Sequence, residues 1–374
     1  MSEEFTETTK ISYWGNIKNS LSGLIFGIVL FLASFVVLWM NEGHNVTQLA
    51  TASFVDKTAI EISAEKADRA NDGKLIQVSG NATTDTTLSD KIISVPNVFA
   101  LKRNVEMYQW EEDVKTDTKD EMGGSTTETK TYSYEKVWSS HEIDSSNFKK
   151  QSYVNPPFTI KSETYYAEKG KLGDFKLTTK QTHAMNDYSE YEDLPQKAEY
   201  KIYNNMYYKG SDPENPRIGD VRISYEVVPS GTDISIIGQQ RPNNTITSMR
   251  HKDNMVYIQQ SGDKTKDEMV YTFEKNNKFF TNLVRILGWF MMFLGLNMVI
   301  SPLVVIFKVV PFVESIVGGL SKGVIFLITL ALSLLTIAIA WFAYRPTLSI
   351  VLLLIIGGIA FALKGKFKSA KENN

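Results

Sequence analysis

Hydrophobic positions gather in four long uncharged runs, one near the start of the chain and three near its end. They are Asn19–Asn41 ("NSLSGLIFGIVLFLASFVVLWMN"), Ile286–Phe307, Val324–Tyr344 and Pro346–Leu363. A helix needs about 20 apolar residues to cross roughly 30 Å of hydrocarbon. The first three runs meet that length, and the fourth is shorter but follows the third directly. Soluble helices rarely run so far without a charge, so the pattern predicts four transmembrane helices. The first run is too long for a signal-peptide core and is followed by "WMNEGHN", without a small-residue cleavage site. It reads as a retained anchor.

Between the runs the pattern changes to alternation. In "VRISYEVV", Val221, Ile223, Tyr225 and Val227 share one face of a strand, and Arg222, Ser224 and Glu226 the other. "GKLIQVSGNAT", "NVEMYQW", "TYSYEKVW", "TDISIIG", "NMVYIQQSG" and "EMVYTFEK" read as further strands. The polar stretch "EEDVKTDTKDEMGGSTTETK" reads as the exposed loop of a long hairpin, with no EF-hand spacing to make its acids a calcium site. Residues 47–72 and about 173–187 read as helical. The fold class is therefore an α-helical membrane protein with four transmembrane helices. A large β-rich α+β extracytoplasmic domain is inserted between helices 1 and 2.

Lysine and arginine near the runs set the orientation. Lys10 and Lys18 precede the first run, Lys308 and Lys322 lie between the second and third, and Lys364, Lys366, Lys368 and Lys371 follow the fourth. Only Arg345 separates the third from the fourth. The expected organisation is a cytoplasmic tail (1–18), helix 1 (19–41), an outward domain (42–280), and helix 2 (283–307). A cytoplasmic loop (308–322), helix 3 (323–344), helix 4 (346–363) and a basic cytoplasmic tail (364–374) complete it. Lys275, Lys278 and Arg285 count against this orientation, but long domains translocate largely regardless of charge.

Over 374 residues the net charge is only −2, which excludes nucleic acid as a main partner. There is no cysteine, so the outward domain is held by its core rather than by disulfides. The cysteine-free, Lys/Asn-rich composition points to a bacterial cytoplasmic membrane. The four histidines, His44, His141, His183 and His251, have no zinc-ligand spacing, and no GxSxG, Walker or GxGxxG motif occurs. No catalytic residue, metal site or cofactor is therefore expected.

Helix packing offers more. Gly23 and Gly27 form a GxxxG pair, and Gly288 and Gly295 stand seven apart on helix 2. Thr329, Ser333 and Thr336 form a stripe on helix 3, either facing a neighbour or bonded back to their own helix. Asn297 lies mid-run, where a bare amide is costly, and is expected to reach a neighbouring helix. Glu314 is expected to be solvated at the cytoplasmic interface. Gly43 reads as a helix stop. Glu42 is in range of Arg285, and Arg285, Trp341, Tyr344 and Arg345 read as interface anchors.

"LWMNEGHNV", "LIQVSG", "LKRNVEMYQWEED", "YSYEKVWSSHEIDSSNF", "GDVRISYEVV", "RILGWFMMFLGLNMVI" and "LTIAIAWFAYRP" resemble, in the same order, segments of the LUMA family, also called transmembrane protein 43. The resemblance implies four spans with a large domain between the first two and, for a eukaryotic chain, a place in the endoplasmic reticulum or inner nuclear membrane. It further implies self-association and a role in organising membranes, and it supplies no catalytic residues. The expected function is a non-enzymatic scaffold with the lipid bilayer, another copy of itself, and a protein or lipid as partners. The alternatives are a membrane-perturbing defence or stress effector, a channel-like protein, or an envelope hydrolase using carboxylates or histidine.

Overall fold

The structure, a computed structural model, describes residues 4–121, 125–252, 254–307, 311–345 and 350, with backbone alone over 303–307 and 311–322. It divides into two compact units. One comprises residues 1–9, 53–117 and 128–272, and the other residues 10–52, 118–127 and the described residues from 273 onward. The expected fourth helix (346–363) and basic tail (364–374) lie outside the described residues, apart from Ile350.

The first unit is β-rich. One sheet runs β1 (Phe5–Ile11), β7 (Thr126–Ser139), β6 (Val98–Asp120), β14 (Val221–Pro229), β13 (Met206–Lys209), β12 (Lys201–Tyr203). In it β8 (Glu163–Tyr166) also pairs with β6, and β11 (Ser189–Glu190) with β14. The other runs β19 (Ile258–Ser261), β15 (Thr232–Arg241), β16 (Thr245–Thr247), β10 (Phe175–Leu177), β9 (Gly170–Leu172), β3 (Leu75–Thr83), β2 (Ile60–Ser63). Two hairpins, β4 (Leu88–Ser89) with β5 (Ser94–Val95) and β17 (Met249–His251) with β18 (Asn254–Val256), stand apart.

In the second sheet β15 pairs with β3 as well as β16, so β3, β15, β16, β10 and β9 close into a ring. Closure gives this small barrel an inside, filled by Ile76, Val78, Leu172, Phe175, Ile234, Ile236 and Ile246. A short helix, α2 (Thr179–His183), follows β10. In the first sheet, Val221, Ile223, Tyr225 and Val227 of β14 are buried as the alternation predicts.

Three helices among the described residues are long and apolar enough to cross a membrane. They belong to α1 (Tyr13–Thr58), α3 (Lys266–Phe307) and α4 (Pro311–Tyr344). Each runs beyond its expected span. The helix α1 passes straight through Gly43 to Thr58, so Gly43 is not a stop, and of 47–72 the first part is α-helical and Arg69–Asn71 forms one 3-10 turn. "EMVYTFEK" is not a strand but the first turns of α3. Thr265 and Glu268 form a capping box there: the Thr265 N–H donates to Glu268 Oε2 (2.9 Å) and the Glu268 N–H to Thr265 Oγ1 (3.3 Å). Residues 311–322, expected as loop, are the start of α4. The expected hairpin loop is mostly strand, because β6 continues to Asp120. Of 173–187, only α2 is helical.

Residues 5–11, expected in the cytoplasmic tail, form β1 and pair with β7. Glu7 meets Lys149 (2.8 Å), and the Phe5 ring packs near Tyr132 (6.0 Å). The threonine-rich "FTETTKI" is a good strand former. Pairing puts β1 in the compartment of its sheet, whereas one crossing by α1, which lies between them in the chain, puts it on the opposite side. Because the chain has no cysteine, single cysteines at Thr8→Cys and Lys115→Cys read this directly with a membrane-impermeant maleimide in intact cells. Labelling from opposite sides is expected where α1 crosses once, and then β1 is unpaired in the membrane; labelling of both from one side would mean that α1 does not cross between them.

Candidate functional site: a buried interhelical clasp

The second unit is held along an antiparallel seam between α1 and α3. Buried or half-buried residues on α1 fall at Gly27, Phe31, Ser34, Leu38, Asn41 and Asn45, the alternating four-and-three spacing of a coiled-coil face. Opposite them on α3 stand Met298, Gly295, Gly288, Thr281 and Asn277 in reverse order. The contacts change character along the seam. At one end glycines permit backbone approach. A Cβ at Gly295 would lie 2.6 Å from Phe31 N and 2.9 Å from Gly27 O, and one at Gly288 would lie 2.6 Å from Leu38 Cδ2. At the other end the contacts are polar: Asn41 Nδ2 donates to Thr281 O (3.1 Å) and Asn277 Nδ2 to Asn45 Oδ1 (2.8 Å).

Where the seam turns polar, Glu42 is completely buried. Arg285 grips it with two bonds, Nε to Oε1 (2.6 Å) and Nη2 to Oε2 (2.8 Å). A third donor comes from α4, where Trp341 Nε1 reaches Oε2 at 2.6 Å. One carboxylate thus ties three helices. A buried charge persists only when paired and hydrogen-bonded, and this one accepts three bonds. Arg285 also donates through Nη1 to Asn282 Oδ1 (2.9 Å). The guanidinium of Arg345 lies 4.9 Å from the Trp341 ring centre, and that of Arg285 5.9 Å. Tyr344 packs against Trp39 (5.6 Å between ring centres) and over Gly43, where a Cβ would stand 2.6 Å from the phenol ring. Gly43 is therefore a close-approach residue inside a helix. The four expected anchors, Arg285, Trp341, Tyr344 and Arg345, converge on one cluster.

The other expected packing residues divide. Gly27, Gly288 and Gly295 sit in the seam, whereas among the described residues nothing lies within 4 Å of a Cβ built on Gly23. Thr329, Ser333 and Thr336 are buried, but each hydroxyl donates to its own helix, to Ile325 O (2.8 Å), Leu330 O (2.9 Å) and Leu332 O (2.7 Å). Asn297 does the same: Nδ2 donates to Phe293 O, one turn back, at 2.7 Å. Back-bonding pairs one amide N–H without a neighbour, and among the described residues no interhelical tie to Asn297 is seen. Asn297→Leu should accordingly change detergent-state thermal stability by less than about 0.5 kcal/mol, within the usual range for substitutions that remove no partner. A larger loss would show that the amide bonds across helices in the membrane. Glu314 falls where side chains are not described.

Sequence reasoning singled out Glu42 with Arg285 but missed Asn41, Asn45, Asn277 and Thr281. Their signal was present, since small and polar residues continue the four-and-three spacing past the apolar run.

In the β-rich unit a second charged group is buried. Asp90 Oδ1 accepts from the Ile92 and Ile93 N–H groups (2.7 Å each), and Oδ2 from Tyr225 (2.8 Å) and Arg103 (2.5 Å). Burial pushes the carboxyl up, but the two amides, the phenol and the guanidinium outweigh it and hold Asp90 below the usual carboxylate range. Arg103 continues to Lys161 O (3.0 Å) and Glu163 (3.2 Å). This network fastens the turn after β4 to β6 and β14. The histidines are scattered: His183 stacks on Tyr166, His251 on Phe54, and His141 meets Ser140. Among the described residues no group of three His, Asp or Glu could hold a metal.

The profile of the family described as Transmembrane protein 43 matches residues 107–346. Similar proteins include Transmembrane protein 43 of Homo sapiens, 27% identical over 92% of this chain and 89% of the human protein. That of Rattus norvegicus is 27% identical, over 88% and 86%. The Transmembrane protein 43 homolog of Drosophila melanogaster is also 27% identical, over 88% and 91%. No solved structure matches the chain. With long apolar helices clasped around a buried ion pair and a family match over most of its length, the chain is an integral membrane protein belonging to the transmembrane protein 43 family.

Proposed function

We propose that this protein is a non-enzymatic scaffold of its membrane, self-associating and holding a protein or lipid partner through its β-rich domain. The observation that carries this reading is the Glu42–Arg285–Trp341 clasp. Among the described residues it commits Glu42 and Arg285 to joining helices, as a rigid anchor requires, rather than to a transported ion or a reacting bond. The bilayer is the first partner, and neither nucleic acid nor a cofactor enters the reading. The cysteine-free, Lys/Asn-rich composition favours a bacterial cytoplasmic membrane.

The test is purification in mild detergent after crosslinking in cells, with light scattering for the mass of the particle. A discrete oligomer, or a stoichiometric protein or lipid co-purifying with the full chain, is expected. A monodisperse monomer carrying no stoichiometric companion would sink the scaffold reading.

A further inference from the structure

The outer wall of the small barrel carries an arrangement that its own packing does not explain. Strands β9 and β10 form a hairpin closed by Gly173 and Asp174, with Gly173 at φ +57°. A Cβ there would collide with the Ala64 carbonyl, so the tight glycine turn is fixed and with it the register. That register sets Lys171 directly opposite Lys176, and continues the row to Thr83 on β3 and Thr245 on β16. Alternation fixes the direction. Leu172, Phe175 and Leu177 are buried in the barrel core, and a Cβ at Gly170 would meet Phe99 there. Lys171 and Lys176 therefore project outward, and Lys169, two residues before Lys171, lies on the same side.

Like charges facing each other across a strand pair are destabilising. Ordinarily an acid intervenes. Here none of Lys169, Lys171 and Lys176 makes an ion pair among the described residues. The Asp174 carboxylate is turned away, accepting from the Ala67 N–H (3.0 Å) and Asn244 Nδ2 (3.2 Å). The three lysines line a cleft of about 660 Å³ with Thr83, Thr84 and one acid, Asp85. The Thr83 hydroxyl makes no hydrogen bond among the described residues, which leaves a neutral donor beside three ammonium groups. The cleft thus offers concentrated positive charge, free donors and room for more than a single ion.

We propose that this cleft binds an oxyanion of the phosphate class, with Lys169, Lys171 and Lys176 neutralising its charge and Thr83 donating to an oxygen. Such a group resides either on a soluble phosphorylated molecule or on an anionic lipid headgroup. Ammonium groups bind phosphate as point charges, without the bidentate selectivity of arginine, so recognition here is by charge and cleft shape. The proposal stands independently of the scaffold reading.

The experiment uses the full chain in phosphatidylcholine nanodiscs. Its thermal midpoint is measured with inorganic pyrophosphate against sodium chloride of equal ionic strength, and separately in nanodiscs containing phosphatidylglycerol. The variants are Lys171→Gln with Lys176→Gln, and Lys115→Gln as a distant control. Wild type and control should be stabilised by one of the two probes. The double variant should respond with an apparent affinity at least about tenfold weaker, as expected for the loss of charge-assisted bonds. Without any probe it should melt no lower than wild type, since removing facing charges relieves repulsion. A response to pyrophosphate assigns a soluble ligand, and a response to phosphatidylglycerol alone assigns a headgroup. No response to either probe, an equal response in the double variant, or a double variant that melts well below wild type without probe would each overturn the proposal.

Discussion

Replacing Glu42 with alanine should cost about 3 kcal/mol of bundle stability, the lower end for breaking a buried ion pair. The reason is the company Glu42 keeps. Its carboxylate has no exposure and accepts from Arg285 twice and from Trp341 once. Alanine leaves a guanidinium and an indole N–H facing an emptied site. Arg285 retains 25% side-chain exposure, so it can turn its head toward water, which keeps the loss from reaching the upper end. Removing both charges behaves differently, because a buried pair repays little more than its desolvation. Glu42→Leu with Arg285→Leu should recover most of what Glu42→Ala loses. Trp341→Phe, which deletes one bond, should cost about 1.5 kcal/mol. Unfolding in mixed micelles with increasing sodium dodecyl sulfate measures all three variants against wild type. If Glu42→Ala unfolds with wild type, the clasp does not hold the helices.

The second large effect is expected from Gly295→Val. At Gly295 the obstacle is backbone, Phe31 N and Gly27 O, which no rotamer change can move. The two helices must separate or shift in register, and the glycine-permitted contacts along the seam weaken together. A loss of about 3 kcal/mol, the upper end for overpacking, is expected, with lower yield of folded protein. Gly23→Val provides the internal control. It adds the same methyl groups to a helix of similar apolarity, but where no described residue stands within 4 Å, so stability should stay within about 0.5 kcal/mol of wild type. Equal behaviour of the two variants in the same unfolding assay would mean that α1 and α3 do not approach at Gly295.

The parts of this fold that were legible from sequence are those decided locally. An uncharged run announces a span because a single charge would be costly there. The strand Val221–Pro229 announced itself because one face is wet. Glu42 and Arg285 could be paired although 243 residues separate them, because each is a lone charge at the edge of an apolar run. Errors arose where two local signals competed. "EMVYTFEK" alternates like a strand, and the Thr265–Glu268 capping box outweighed that alternation. Gly43 has the look of a helix terminator, and the phenol of Tyr344 gives it a different purpose. Asn297 seemed stranded only because its own helix was not counted as a partner. What no local signal carries is strand pairing at a distance. The ring of the barrel depends on β3 meeting β15, as Asn81 and Asp233 show from 152 residues apart. Lys171 and Lys176 face each other only once the turn between them is known.

The pairing of β1 with β7 has a consequence for the order in which the molecule is completed. The strand that leaves the ribosome first cannot dock until its partner strand has been made, since Glu7 and Tyr132 are 125 residues apart. Until synthesis passes β7, Phe5–Ile11 is an unpaired, strand-prone segment and the sheet has no outer strand at that position. Two nascent copies growing side by side on one membrane can then exchange these segments, each donating its first strand to the other's sheet. The contacts in such a pair are the same as in one chain alone, so its abundance is set by local crowding during synthesis rather than by any new interface.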